Sequence, residues 1–297
     1  VSCSNPTSAP AASNMPLRDA FRRARLRPPQ TPRSNARTAG TSISRSWTRS
    51  VLSWLFDHAK ISTLCSDEFT MSKPKRAIVL LLDSLNRHML GCYGGTEFST
   101  PNIDRLAARS QRFTNHYTGS LPCMPARHDI LCGALDFLWK PWGSVELWER
   151  PVTYELKRQG VITKLITDHP HLFETGGENY HTDFFAWDYL RGHESDPWKT
   201  RPDPSWQGAP AMPAGTKYPG KASAYDLSRT FFKAEADYPG PRTMQATADW
   251  LKDHGQEHES FFLFVDEFDP HEPFDTPEPW ASLYDRDWAG ERIIWPP

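Results

Sequence analysis

The feature that most constrains this chain is "RAIVLLLD", Arg76–Asp83, an unbroken apolar run closed by a carboxylate. A strand buried on both faces of a parallel sheet reads this way, whereas a half-exposed strand alternates polar and apolar residues. Two later runs have the same form. "VITKLIT" (Val161–Thr167) leads into Asp168, His169 and His171, and "FFLFVDEF" (Phe261–Phe268) carries Asp266 and leads to Asp269 and His271. Helical patterns separate these runs. "PNIDRLAARS" opens on a proline, "VTYELKRQG" closes on a glycine, and "TMQATADWLKDHG" precedes the third run. A helix is also expected just after Cys123, and "RFTNHYT" reads as a short further strand. This alternation predicts an α/β fold with a mainly parallel central sheet and helices on both faces. Ligands gather at the carboxyl ends of strands in such sheets. Asp83, Asp168, His169, His171, Asp266, Asp269 and His271 are therefore expected on one rim.

The rest of the chain excludes more than it specifies. Formal net charge is −2, so bulk charge gives no reason to expect a nucleic-acid partner. No stretch approaches the roughly 20 apolar residues of a membrane span. Five scattered cysteines, an odd number, argue against a disulfide framework and for a reducing compartment, and the lack of a signal peptide suggests the cytoplasm. Residues 1–70 carry ten Lys/Arg against four Asp/Glu, with no sustained apolar period. Three readings fit that segment: a disordered basic tail, a transit-like peptide, or an upstream stretch not normally translated. The last is preferred, because the chain begins at Val1 and "MSKPKRAIVLLLD" at Met71 reads as a natural start. Residues 71–297 then form the catalytic part. Within them, Trp198–Gly240 is rich in Pro, Gly and Trp and reads as a long irregular insertion.

The chemistry centres on "LPCMPARHDIL", Leu121–Leu131. A buried structural cysteine needs neither the proline nor the arginine that follow Cys123. A thiol phosphatase loop needs a longer Cys-to-Arg spacing than this one. Cys123-Met124-Pro125-Ala126-Arg127 resembles the C-x-P-x-R signature of the sulfatase family, within the alkaline phosphatase superfamily. Three further segments are similar to that family in the expected order: "AIVLLLDSLNRHMLGCYGG", "STPNIDRLAARSQRFTNHYT" and "FFLFVDEFDPHEPFDTP", the last carrying P-H-x-P.

The resemblance implies an alkaline phosphatase-like fold and a sulfuric ester hydrolase. It implies that a formylglycine-generating enzyme, as partner, converts Cys123 to an aldehyde, which hydrates to a geminal diol. One diol oxygen attacks the sulfur of a small anionic ester, and the second expels the inorganic ester. Asp83 and the converted Cys123 then hold a divalent metal: Ca²⁺ first, with Mg²⁺ or Mn²⁺ as alternatives. Arg127 steadies the diol, His171 and His271 contact the ester or protonate the leaving oxygen, and His169 joins His271 in binding substrate. The physical logic is general. An anionic ester needs an activated nucleophile and neutralised charge; a metal supplies both, and a helix N-terminus adds its dipole and free N–H groups.

Three departures from the family pattern matter. Asp83-Ser84 stands where many members have two aspartates, a change shared with relatives that cleave phosphonate monoesters and phosphodiesters. His169 stands where many members have lysine. The family's second metal segment, downstream of P-H-x-P, is not found before Pro297, so the chain is expected to be a C-terminally truncated fragment. Sulfate hydrolysis is the leading reading. Phosphonate monoester or phosphodiester hydrolysis on the same scaffold is one alternative, and a non-catalytic fragment is the other. His169-x-His171 also reads as a zinc pair or as packing at a sheet end. His128 and Asp129 read equally as pocket or capping groups, and Cys92 and Cys132 as small buried hydrophobes.

Overall fold

The computed structural model describes residues 75–136, 139–207, 223–284, 286–290 and 294–295. These belong to one unit of the chain, Ser72–Pro297. The expected leader, residues 1–70, and part of the expected insertion lie outside the described residues.

Four strands form one sheet: β1 (Arg76–Leu82), β2 (Ile162–Thr167), β3 (Ala186–Tyr189) and β4 (Phe261–Glu267). Their order is β1-β4-β2-β3 and every pairing is parallel. The helices are α1 (Pro101–Ala107), α2 (Cys123–Cys132), α3 (Val152–Arg158), α4 (Ala224–Arg229), α5 (Pro239–His254) and α6 (Trp280–Tyr284).

The period of two along β4 builds both cores. Phe264 joins Leu165 of β2 and Met124 and Leu131 of α2 on one face of the sheet. Phe261, Leu263 and Val265 join Ile166 on the other face, against Ala246, Trp250 and Leu251 of α5. Helices thus cover both faces, as the near-continuous apolar runs of β2 and β4 require.

Several expectations need correction. Among the described residues β1 is an edge strand and is not buried on both faces: Val79 and Leu81 pack against the α2 side, but Ile78 and Leu80 are 52% and 45% exposed. The cause is position, since α5 packs over β4 and β2. "RFTNHYT" forms no strand, and Phe113 and Tyr117 within it are exposed. The strand β3 was not anticipated, because "AWDY" is short and of mixed polarity. α2 begins at Cys123 itself, with Pro122 as N-cap. It ends where Gly133 takes φ 70°, the left-handed conformation that glycine adopts without strain. α5 begins at Pro239, inside the expected insertion, which also contains α4.

Candidate active site

The sheet register brings the rim together. Leu81 of β1 and Thr167 of β2 both lie opposite Asp266 of β4. The three strands therefore end level, and the Asp83 N–H donates to the Glu267 carbonyl at 3.0 Å. α2 starts at this rim, which places Cys123 in its first turn and Arg127 one turn later.

Arg127 connects the parts. Its Nη2 lies 2.9 Å from Asp83 Oδ2 and 2.6 Å from Asp266 Oδ1. Its Nε donates to Asp266 Oδ2 at 3.0 Å, and its Nη1 to the Cys123 carbonyl at 3.4 Å. Asp266 thus takes a two-pronged, charge-assisted pairing that fixes the guanidinium plane. Arg127, Asp83 and Asp266 are all buried.

Asp83 is held as an anion. Burial alone would raise its pKa, but His169, Arg127 and Ser84 together hold it far below the usual carboxylate range. Ser84 contributes by donating Oγ–H to Asp83 Oδ1 at 2.9 Å, with its own backbone at φ 58°. A non-glycine residue there stores backbone strain of about 1–3 kcal/mol. His169 Nε2 lies 3.6 Å from Asp83 Oδ2. Burial lowers the His169 pKa to about 4 against the pull of Asp266 and Asp83, so the ring is neutral at neutral pH. Burial pushes the Cys123 thiol up to about 11, and Arg127 offsets this only in part.

The ligand atoms of Asp83, Cys123 and His169 lie within 4.8 Å of one another. Both ring nitrogens of His169 are buried without a hydrogen-bond partner, and Asp83 Oδ2 takes part only in ion pairs. A carboxylate, a neutral imidazole and the Cys123 sulfur could hold one side of a divalent cation. They do not amount to the six to eight oxygens that calcium takes.

The other histidines gather on Phe268, which is fully buried. His169, His171 and His193 meet this ring edge-on at 4.5, 5.8 and 4.8 Å, and His271 stacks on it at 4.3 Å. His171 is held between Glu174 and Glu194, the latter at 3.1 Å. Burial disfavours its charge, but the two glutamates outweigh that and raise its pKa. His271 Nδ1 faces the Glu272 carbonyl at 3.0 Å. His271 also lines a cavity of about 280 Å³ with His193, Tyr225, Tyr238, Asp269 and Trp280. The structure therefore gathers Asp83, Cys123, Arg127 and His169 directly, and links His171 and His271 to them through Phe268.

Two contributors escaped the sequence reading. Sequence alone puts Asp266 on the rim without a role, although a charge inside an apolar strand is itself a signal that a buried partner exists. Phe268 gave no signal, because a phenylalanine after a buried strand reads as core.

A family profile described as Sulfatase matches residues 75–288. The chain is 26% identical over 226 residues to the uncharacterized sulfatase YidJ of Escherichia coli K12, covering 72% of this chain and 42% of that protein. It is 25% identical over 215 residues to human iduronate 2-sulfatase, covering 70% of this chain and 37% of the relative. It thus spans about two fifths of the length of these curated relatives. Among solved structures, the phosphonate monoester hydrolase of Agrobacterium radiobacter superposes with a TM-score of 0.49 at 19% identity, covering 71% of this chain and 44% of that one.

Proposed function

Because this chain belongs to the sulfatase family, we propose that the protein containing it hydrolyses a sulfate ester, with Cys123 as precursor of the nucleophile. One observation carries the reading: Cys123 opens α2 beside Asp83 and His169, with Arg127 bonded to its carbonyl. The state of the thiol supports conversion by a formylglycine-generating enzyme. With a pKa raised to about 11, an unmodified Cys123 is protonated at neutral pH and is a weak nucleophile. The hydrated aldehyde supplies one oxygen to attack sulfur and a second to expel sulfate.

The remaining steps fall to the chain's own residues. Asp83 and the converted Cys123, with His169 beside them, would hold a divalent cation, which would lower the nucleophile's pKa and neutralise the ester's charge. Calcium is the first choice and magnesium or manganese the alternatives, with further oxygen ligands required beyond these residues. Arg127, anchored by Asp266, steadies the nucleophilic oxygen and adds positive charge. His171, whose charge the two glutamates favour, binds the ester oxygens or passes a proton to the departing alcohol. His271 contacts the ester from the wall of the aromatic cavity, which takes the alcohol portion. The three described cysteines are free thiols, which suits a reducing, cytoplasmic setting.

Phosphonate monoester or phosphodiester hydrolysis is the second reading. Ser84 favours it, because it offers a hydroxyl where a second carboxylate would add negative charge at the ester. A tryptic mass map of the protein from its native cells tests the common core. The peptide Phe113–Arg127 should carry an aldehyde in place of the Cys123 thiol, and an unmodified thiol there rules out the proposed nucleophile. Paired turnover of an aryl sulfate and an aryl phosphonate then separates the two readings. Sulfate turnover is expected to be the faster.

A further inference from the structure

A second group of ligand-type side chains lies on another side of α2 and takes no part in the chemistry above. His128 and Cys132 are four residues apart, so they share a helix face. Glu149 approaches them from the loop that follows. The ligand atoms of His128, Cys132 and Glu149 lie within 4.8 Å of one another. We infer that His128, Cys132 and Glu149 form a zinc-class metal site that ties the far end of the nucleophile's helix to the 140–149 loop.

The geometry prepares His128 and Glu149, while burial and Glu149 raise the Cys132 thiol to about 11. His128 is 1% exposed, and its Nδ1 lies 2.5 Å from Asp136 Oδ2. Neither of these two atoms has a hydrogen-bond partner, and Nε2 faces Glu149 Oε1 and Lys140 Nζ, so the imidazole reaches a metal once Lys140 leaves. Glu149 is anchored through one oxygen only. Its Oε2 accepts from the Glu146 N–H and from Lys140 Nζ, both at 2.7 Å. Its Oε1 is thereby turned to His128 Nε2, at 2.9 Å. Ligand atoms around tetrahedral zinc are roughly 3.3–3.8 Å apart, so the widest separation must close by up to about 1.5 Å while His128 Nε2 and Glu149 Oε1 open from 2.9 Å.

One imidazole, one thiolate and one carboxylate suit zinc, not the hard cations calcium or magnesium. A cation already occupies this spot. Lys140 Nζ lies 3.0 Å from His128 Nε2, and the lysine side chain is partly exposed. On binding, the Cys132 S–H bond breaks, its proton goes to solvent, a sulfur–metal bond forms, and the ammonium of Lys140 withdraws to water. The competing account is an ion network of Asp136, His128, Lys140 and Glu149, in which Cys132 is a bystander.

Cobalt substitution in the full chain distinguishes these accounts. After chelation, one equivalent of Co²⁺ should give tetrahedral visible bands and a thiolate-to-cobalt charge-transfer band in the near ultraviolet. That band should survive Cys123→Ala and disappear in Cys132→Ser, with circular dichroism reporting that the variant is folded. No thiolate band, or one lost with Cys123 and kept without Cys132, overturns the site. Should Cys132→Ser not fold, Lys140→Gln decides. Removing the competing ammonium should tighten cobalt binding about tenfold, whereas unchanged or weaker binding means that the lysine belongs to a closed ion network.

Discussion

Arg127 carries a buried guanidinium between two carboxylates, and its dependence on them is measurable. Removing one partner from a buried ion pair leaves an uncompensated charge and costs about 3–5 kcal/mol. Asp83 remains beside Arg127 when Asp266 is removed, so Asp266→Ala should lose about 3 kcal/mol in denaturant unfolding. The same variant should lose most ester hydrolysis, because the guanidinium no longer has a fixed plane. His193 gives a pH prediction. Burial disfavours its charge, but the Asp269 hydrogen bond at 3.1 Å outweighs that and raises its pKa, with help from Asp168 that fades as pH falls, because burial raises the Asp168 carboxyl to about 7. A raised folded pKa adds stability that is complete below the unfolded value and is lost as pH rises through the folded one. The unfolding free-energy gap between the native chain and His193→Gln should therefore be widest below pH 6.5 and shrink above it. Cys123, Arg127 and Asp83 were legible one by one from the motif and the strand end. The pairing of Arg127 with Asp266 was not, because 139 positions separate them in the chain.

Among the elements, those with long and consistent patterns were readable. β2, β4, α3 and the body of α5 follow their apolar periods, so local sequence and burial agree. The apolar run of β1 predicts full burial, because composition reports apolarity but not place in the sheet. "RFTNHYT" has strand propensity, yet a strand exists only where a partner takes up its backbone hydrogen bonds. The loop carrying His171 depends on one close approach. A Cβ at Gly177 would lie 1.6 Å from the His171 carbonyl oxygen, a backbone atom that cannot yield cheaply. Gly177→Ala should thus destabilise by more than about 3 kcal/mol and displace His171. Thermal unfolding together with the pH profile of turnover checks both effects.

For the molecule as a whole, the candidate metal cluster among the described residues holds one carboxylate, Asp83, beside Cys123 and His169. Chelation of the protein from native cells should abolish ester hydrolysis. Activity should return on adding Ca²⁺, Mg²⁺ or Mn²⁺, and the most effective ion identifies the natural one. Ser84→Asp should make the metal harder to strip, seen as a higher chelator concentration for half-loss. It should also shift preference toward sulfate over phosphonate esters.

Sequence by itself determined the fold class, the order of the main elements, the family and the motif on α2. Each of these depends on residues near one another in the chain, where apolar period, helix signals and motif spacing are directly expressed. Tertiary structure alone decided that Asp266 anchors Arg127, that four histidines share Phe268, that β1 is an edge, and that His128 and Cys132 meet Glu149. Those relations depend on sheet order and on which loops cross which strand ends. Burial then converts that proximity into shifted pKa values and paired charges, and a linear pattern does not encode which distant groups will share one desolvated space.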